Sequence, residues 1–191
     1  MDRGELEDRP EQIRTFVGIP VPEGHRAALE PQLAAWAEAA PAFRWVAAEN
    51  LHLTLRFLGG VQAAVAEALA RELAELAAPA FELQLGGLGS FGRGRRVRVI
   101  FLRMEKGEPE AAVLARRVEE ACRSLRLPPE ERPFNAHLTL ARARDRFGAP
   151  LPELPSPPEL PGWRAAELIV YRSRLGRQGA RYEAVHSFPL V

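Results

Sequence analysis

The chain contains four histidines and three threonines, and two of each fall into one repeated tetrapeptide. His52-Leu53-Thr54-Leu55 recurs as His137-Leu138-Thr139-Leu140, 85 residues further on. In an extended strand, side chains i and i+2 leave the same face. Each copy therefore sets one imidazole and one hydroxyl on one side and two leucines on the other. The leucines belong in a core, and the polar face is left to line a cleft. Imidazole titrates near neutrality, so a pair of rings can hold one neutral base and one protonated acid. Such a pair suits attack of water on a phosphodiester: one ring takes the water proton and the other protonates the leaving oxygen. The threonine hydroxyls can donate to the non-bridging phosphate oxygens, where charge grows. A single histidine in a strand is more often structural or solvated; two matched copies reverse that balance.

No Asp/Glu/His cluster has metal-ligand spacing, and no P-loop or dinucleotide glycine motif is present. The expectation is therefore acid–base chemistry with no metal and no cofactor. Two alternatives stay open. One is a metal hydrolase using the two histidines as ligands, for which spacing offers no third ligand. The other is a non-catalytic RNA- or nucleotide-binding module, which a complete tetrad disfavours.

The elements that must position these motifs can be read from periodicity. Ile13 to Val21 is a β-rich run. Pro22 to Ala40 carries Leu29, Leu33 and Trp36 at helical spacing. Leu51 to Leu58 alternates as a strand and is expected to end at Gly59-Gly60. Val61 to Ala78 is an Ala/Leu/Glu-rich helix. Phe81 to Leu88 and Val97 to Met104 are expected strands, with the glycine-rich segment Gly86 to Gly94 connecting them. Glu108 to Leu127 is a strong amphipathic helix, and Ala136 to Ala143 the second motif strand. Leu151 to Gly162 is too rich in proline for regular structure. Glu167 to Arg174 and Tyr182 to Leu190 are the last strands. Strands mixed with helices in no regular βαβ period indicate an α+β fold. One HLTL per half points to internal duplication.

At 191 residues, with 47% apolar and 27% charged residues, the chain can bury one substantial core or two small lobes sharing one. The net charge of +1 excludes polyanion binding driven by overall charge. Of 26 basic residues only Lys106 is a lysine, and arginine suits phosphate because its planar fork donates bidentately. Cys122 is the sole cysteine, so no internal disulfide can form, which fits a reducing compartment. Met1 to Arg14 is charged and lacks an apolar signal region, and no run approaches a membrane span. A cytoplasmic protein with no membrane partner is expected, with residues 1–10 disordered.

With its doubled HxT motif, the chain resembles the RNA 2′,3′-cyclic phosphodiesterases, also called the 2′-5′ RNA ligase family, of the two-histidine phosphoesterase superfamily. The resemblance runs from RTFVGIPVPEGHRAAL through RWVAAENLHLTLRFLGGV and FELQLGGLGSFGRGRRVRVIFL to RPFNAHLTLARAR and ELIVYRSRLGRQGARYEAVHSFPL. It implies one domain over 1–191. The fold would be bilobal, a pseudo-two-fold pair of antiparallel sheets with flanking helices, in two intertwined lobes around a central groove. It implies hydrolysis of RNA 2′,3′-cyclic phosphate ends to 2′-phosphates, with weak 2′-5′ ligase activity in some members. RNA ends or small cyclic nucleotides would be the partners and a monomer the working form. His52 and His137 carry over as catalytic, and Thr54 and Thr139 as phosphate-binding. His52 is assigned as general acid and His137 as general base, although symmetric motifs leave that order open. The family commonly has an arginine three places after the second threonine; here it is Arg142, and its counterpart after the first motif is Phe57. In a regular strand Arg142 would point away from the histidine face, so it needs a bulge or a strand end.

Other residues carry weaker expectations. His25 is expected to be solvated and His186 structural or exposed. Phe16 and Trp45 could stack on a base, but core positions are favoured for both. Arg93, Arg95, Arg96 and Arg98 form a basic run that is either a solvated loop or a guide for an RNA end. Tyr171 and Ser173 share a strand face, with packing the favoured role. Cys122 is expected to be buried and inert.

Overall fold

Each motif strand buries its leucines on one side, and the architecture follows from covering that side. The computed structural model describes residues 12–176 and 179–191, so the expectation for 1–10 lies outside the described residues. The strands are β1 (Gln12–Pro20), β2 (Phe43–Trp45), β3 (His52–Gln62), β4 (Phe81–Arg93), β5 (Arg96–Lys106), β6 (His137–Ala143), β7 (Trp163–Ala165), β8 (Glu167–Gly176) and β9 (Gly179–Pro189). The helices are α1 (Glu23–Ala39), α2 (Ala63–Ala74) and α3 (Glu108–Ser124), and a 3₁₀ turn spans Ala48–Asn50. No described helix is long and apolar enough to cross a membrane.

The strands form one sheet in the order β7-β4-β5-β6-β3-β1-β8-β9, with β2 paired to β6. All named pairings are antiparallel. This is an α+β fold with a pseudo-two-fold between β3 and β6. On one side β1–α1–β3 forms a strand–helix–strand unit; on the other β5–α3–β6 does the same. The outer strands are exchanged. The C-terminal β8 and β9 extend the sheet beyond β1, and β4 and β7 extend it beyond β5.

Leu53, Leu138 and Leu140 are fully buried, together with Leu29 and Trp36 of α1, Leu69 and Leu73 of α2 and Leu114 and Val118 of α3. Full burial of one such side chain contributes about 1.5–3 kcal/mol, so this shared core fixes which face each motif presents. A one-residue slip of either strand would exchange leucines for histidine and threonine.

Several boundaries differ from the sequence reading. The first motif strand does not stop at Gly59-Gly60 but continues to Gln62. Gly59 takes a left-handed φ of 74°, and the register with β1 jumps from Thr15↔Gly59 to Phe16↔Phe57. The glycine is thus a bulge device rather than a terminator. Gly86 to Gly94 is not a connection; it belongs to β4, and only Gly94-Arg95 separates β4 from β5. Its glycines serve close approach: a Cβ on Gly89 would lie 2.5 Å from the Phe101 ring, and one on Gly92 would lie 2.1 Å from the Arg96 carbonyl oxygen. The short strands β2 and β7 are too brief to show a period of their own. Leu151 to Gly162 is irregular as expected. His25 is buried rather than solvated. Its Nε2 lies 2.8 Å from the Pro161 carbonyl oxygen and its ring meets Trp163 edge-on, so it pins the proline-rich connection to α1.

Candidate active site

β3 and β6 touch where Leu53 pairs with Leu138. Antiparallel register at that pair sets His52 opposite Thr139 and Thr54 opposite His137, all four on the face away from the core. The motifs form a two-by-two array, with imidazoles on one diagonal and hydroxyls on the other. Diagonal neighbours across an antiparallel pair are about 7–8 Å apart at Cα, a span that a phosphate group can bridge. The two lobes meet in one continuous sheet, with the motifs side by side on its two central strands.

Each ring is held in the same way. The Nδ1–H of His52 donates to the Asn50 carbonyl at 2.7 Å, and that of His137 to the Asn135 carbonyl at 2.8 Å. Both partners lie two residues upstream, so the histidines share a tautomer that keeps Nε2 for chemistry. The extended pattern Asn-x-His-Leu-Thr-Leu stands in both halves, and the sequence reading passed over its asparagines. Asn50 also ties the β8–β9 hairpin to the site. Its side-chain Nδ2 donates to the Ala180 carbonyl at 2.8 Å, and the Tyr182 backbone N–H donates to its Oδ1 at 3.3 Å.

The last leucine of each motif is a bulge. In β3 the register passes from Thr54↔Gly18 to Arg56↔Val17, skipping Leu55. In β6 it passes from Thr139↔Phe101 to Ala141↔Ile100, skipping Leu140. Two successive residues therefore turn inward, Leu55 and Arg56 on one strand and Leu140 and Ala141 on the other. The next residue returns to the histidine face. This is the bulge Arg142 required, and it aims Phe57 likewise.

Arg56 was not singled out from sequence. It is buried at 9% exposure, its Nε 2.7 Å from Glu119 Oε2 of α3. It also donates to the Phe57 and Pro128 carbonyls and lies 3.6 Å from Glu130. It locks the β3 bulge to α3 and to the chain leading into β6.

Aromatic rings back both imidazoles. Phe16 lies 4.5 Å from His52 between ring centroids, and Tyr182 meets it edge-on at 5.0 Å. Phe101 and Phe91 lie 5.0 and 5.1 Å from His137. Phe16 is 2% exposed, so it is a packing residue under His52 rather than a base platform. Trp45 stacks on Trp36. Tyr171 stacks on Phe16 at 4.8 Å, at the edge of the site, and Ser173 pairs with Arg14 and Tyr182 on neighbouring strands. His186 lies 3.2 Å from Glu67, away from the tetrad. In the basic run, Arg96 holds the Phe147 and Gly148 carbonyls, while Arg93 and Arg98 are exposed. Cys122 is buried, and burial raises its thiol to about 11, so it is inert.

Burial pushes His52 down to about 4. The hydrogen bond to Asn50 opposes this, while the Arg142 charge and a charge on His137 add to it. His137 is lowered by burial and by Arg142, against its bond to Asn135. Arg142 is itself lowered by desolvation and by the charges of Arg132 and Arg98. Without an anion both rings are held neutral, and a proton on one disfavours a proton on the other. An anion between them reverses that penalty. Among the described residues no group of three or more His, Cys, Asp or Glu is placed to hold a metal ion.

A curled antiparallel sheet with three helices on one face and paired His-x-Thr strands on the other defines a two-histidine phosphoesterase. The chain belongs to the family described as LigT-like phosphoesterase, which matches it twice, over residues 19–101 and 102–182. It is 35% identical over 192 residues to an RNA 2′,3′-cyclic phosphodiesterase of Thermus thermophilus, covering 93% of this chain and 90% of the relative. It is 32% identical over 182 residues to one of Geobacillus stearothermophilus, covering 92% of this chain but only 57% of that longer relative. Among solved structures, Escherichia coli LigT complexed with 3′-AMP superposes with a TM-score of 0.79 at 29% identity, covering 95% of this chain and 99% of the other. The two family matches agree with the internal duplication read from the repeated tetrapeptide.

Proposed function

We propose that this chain hydrolyses RNA 2′,3′-cyclic phosphate ends to 2′-phosphates, with His52 and His137 as the proton-transfer pair. The observation that carries the reading is the diagonal array of two imidazoles, each pinned through Nδ1, with two hydroxyls on the crossing diagonal. A cyclic phosphate in the array has one ring on the side of incoming water and the other on the side of the departing 3′ oxygen. His137 Nε2 takes the water proton as its oxygen bonds to phosphorus. The P–O3′ bond breaks, and His52 Nε2–H protonates O3′, leaving the phosphate on O2′. Thr54 and Thr139 donate to the non-bridging oxygens, and Arg142 neutralises the charge that grows there. The pair ends with its protons exchanged, and solvent resets it. With an RNA 5′-hydroxyl in place of water, the same steps would form a 2′-5′ linkage, a weak ligase activity.

The names of the relatives and the 3′-AMP complex of Escherichia coli LigT support a nucleotide or RNA end as ligand. We take the working form to be a monomer; the continuous sheet supports a single domain, and the buried free thiol of Cys122 supports a cytoplasmic setting. A non-catalytic RNA- or nucleotide-binding module is the alternative. The test is turnover of a 2′,3′-cyclic nucleotide with EDTA present, the product's phosphate position being read by phosphorus NMR. We expect the 2′-phosphate alone. His52→Ala and His137→Ala should each lower kcat by about 10²–10⁴-fold with unchanged circular dichroism. Binding without turnover in the unmodified protein would favour the module.

A further inference from the structure

The array has a near-symmetric core but unequal flanks. On the β3 side the bulge delivers Phe57, followed by Gly59 and Gly60. On the β6 side it delivers Arg142, and the additional strand β2 sets Arg44 directly opposite Arg142. Phe43 and Trp45, on either side of Arg44, pack into the core, so Arg44 must stand on the same face as the histidines. Like charges directly opposite on adjacent strands destabilise a sheet. Among the described residues no carboxylate pairs with Arg44, Arg98, Arg132 or Arg142. The fold therefore sets two cations side by side on one flank of the phosphate site and leaves their repulsion uncompensated. Buried or crowded charge of one sign is the footprint of a polyanion.

We propose that Arg44, beside Arg142, forms a second phosphate subsite that takes the phosphodiester preceding the cyclic phosphate, so that the RNA chain leaves the groove across β6 and β2. The proposal rests on the cyclic-phosphate reading and deepens it. Adjacent strands are about 4.8 Å apart, so an arginine one strand beyond Arg142 falls within reach of the next phosphate along the chain. A free cyclic mononucleotide has no second phosphate and cannot use Arg44. The opposite exit, over Phe57, Gly59 and Gly60, carries Arg14 of β1 opposite Gly60, but no arginine of β1 or β3 there stands directly opposite another.

The experiment compares kcat/KM for 2′,3′-cyclic AMP with that for a dinucleotide ending in 2′,3′-cyclic phosphate, in the unmodified protein and in Arg44→Gln, at two salt concentrations. We expect the dinucleotide to be the better substrate of the unmodified protein. Arg44→Gln should lose about tenfold on the dinucleotide, the scale of one charge-assisted hydrogen bond, and should reduce the salt slope by roughly one. It should leave cyclic AMP turnover unchanged. Arg44→Lys, which keeps the charge, should recover part of the loss and separates a charge effect from misfolding. Equal losses on both substrates, or none on either, would overturn the second subsite while leaving the phosphodiesterase reading in place. Absence of turnover of both substrates by the unmodified protein would overturn both.

Discussion

Removing the imidazole of His52 should flatten the acid limb of this protein's stability curve. In the folded chain the ring is held to about 4 against an ordinary 6.5, chiefly by burial. The sign follows from which state binds protons. Between pH 6.5 and about 4 the unfolded chain protonates this residue and the folded chain does not. Stability must therefore fall as pH drops through that window and level off below it. Converted at the thermal constant, the full difference is about 3 kcal/mol, an upper bound because the ring is not wholly sealed from water. Glu119, whose carboxyl is held low by Arg123 and Arg56 against the cost of its burial, loses its own contribution on acidification. The comparison must therefore be differential. Urea unfolding of the unmodified protein and of His52→Gln at pH 7 and pH 4.5 supplies it. The variant should lose less stability between these two pH values, by up to about 2 kcal/mol, since the full difference is reached only below pH 4. Saturating 2′-AMP, which places an anion between the rings, should restore part of the loss in the unmodified protein only. Parallel stability curves for the two proteins would refute the claim that burial and the Arg142 charge hold this ring neutral.

Three other perturbations probe separate links. A substrate whose leaving group is p-nitrophenolate needs no general acid, so the acid assignment predicts that His52→Ala keeps most of its activity on such a diester while His137→Ala loses it; the reverse pattern exchanges the roles. Replacing Arg56 by Met leaves Glu119 of α3 with Arg123 as its remaining cation and frees the β3 bulge, and should cost about 2–4 kcal/mol in urea unfolding, with Glu119→Gln in the same background recovering part of it. Gly89→Val inserts carbon where a Cβ alone would lie 2.5 Å from Phe101, so the ring that backs His137 must move. The expected result is a fall in kcat larger than any change in melting temperature, and an unchanged kcat would show that Phe101 does not set the position of His137.

Local physics made much of this protein legible from its sequence. Period two gives a strand a polar and an apolar side whatever the rest of the chain does. The same-face pairing of His52 with Thr54 and of His137 with Thr139, and the burial of their leucines, could therefore be stated without coordinates. Helical spacing of Leu29, Leu33 and Trp36 likewise announced α1, and the need of Arg142 for a bulge follows from counting residues along a strand.

Only the tertiary structure decided what depends on partners distant in sequence. Strand order is one such property: nothing local to His52 says that β6 lies beside β3, or that the two lobes join their motifs within one sheet. The glycines of β4 read as a loop because a glycine's local signal is freedom, whereas its use here is room for Phe101 from the next strand. His25 read as solvated because its partners, Pro161 and Trp163, are 136 and 138 residues away. Arg56 and Arg44 were silent for the same reason. A charged side chain advertises solvent by default, and its partner or its lack of one is settled by chain segments that meet only when the sheet assembles.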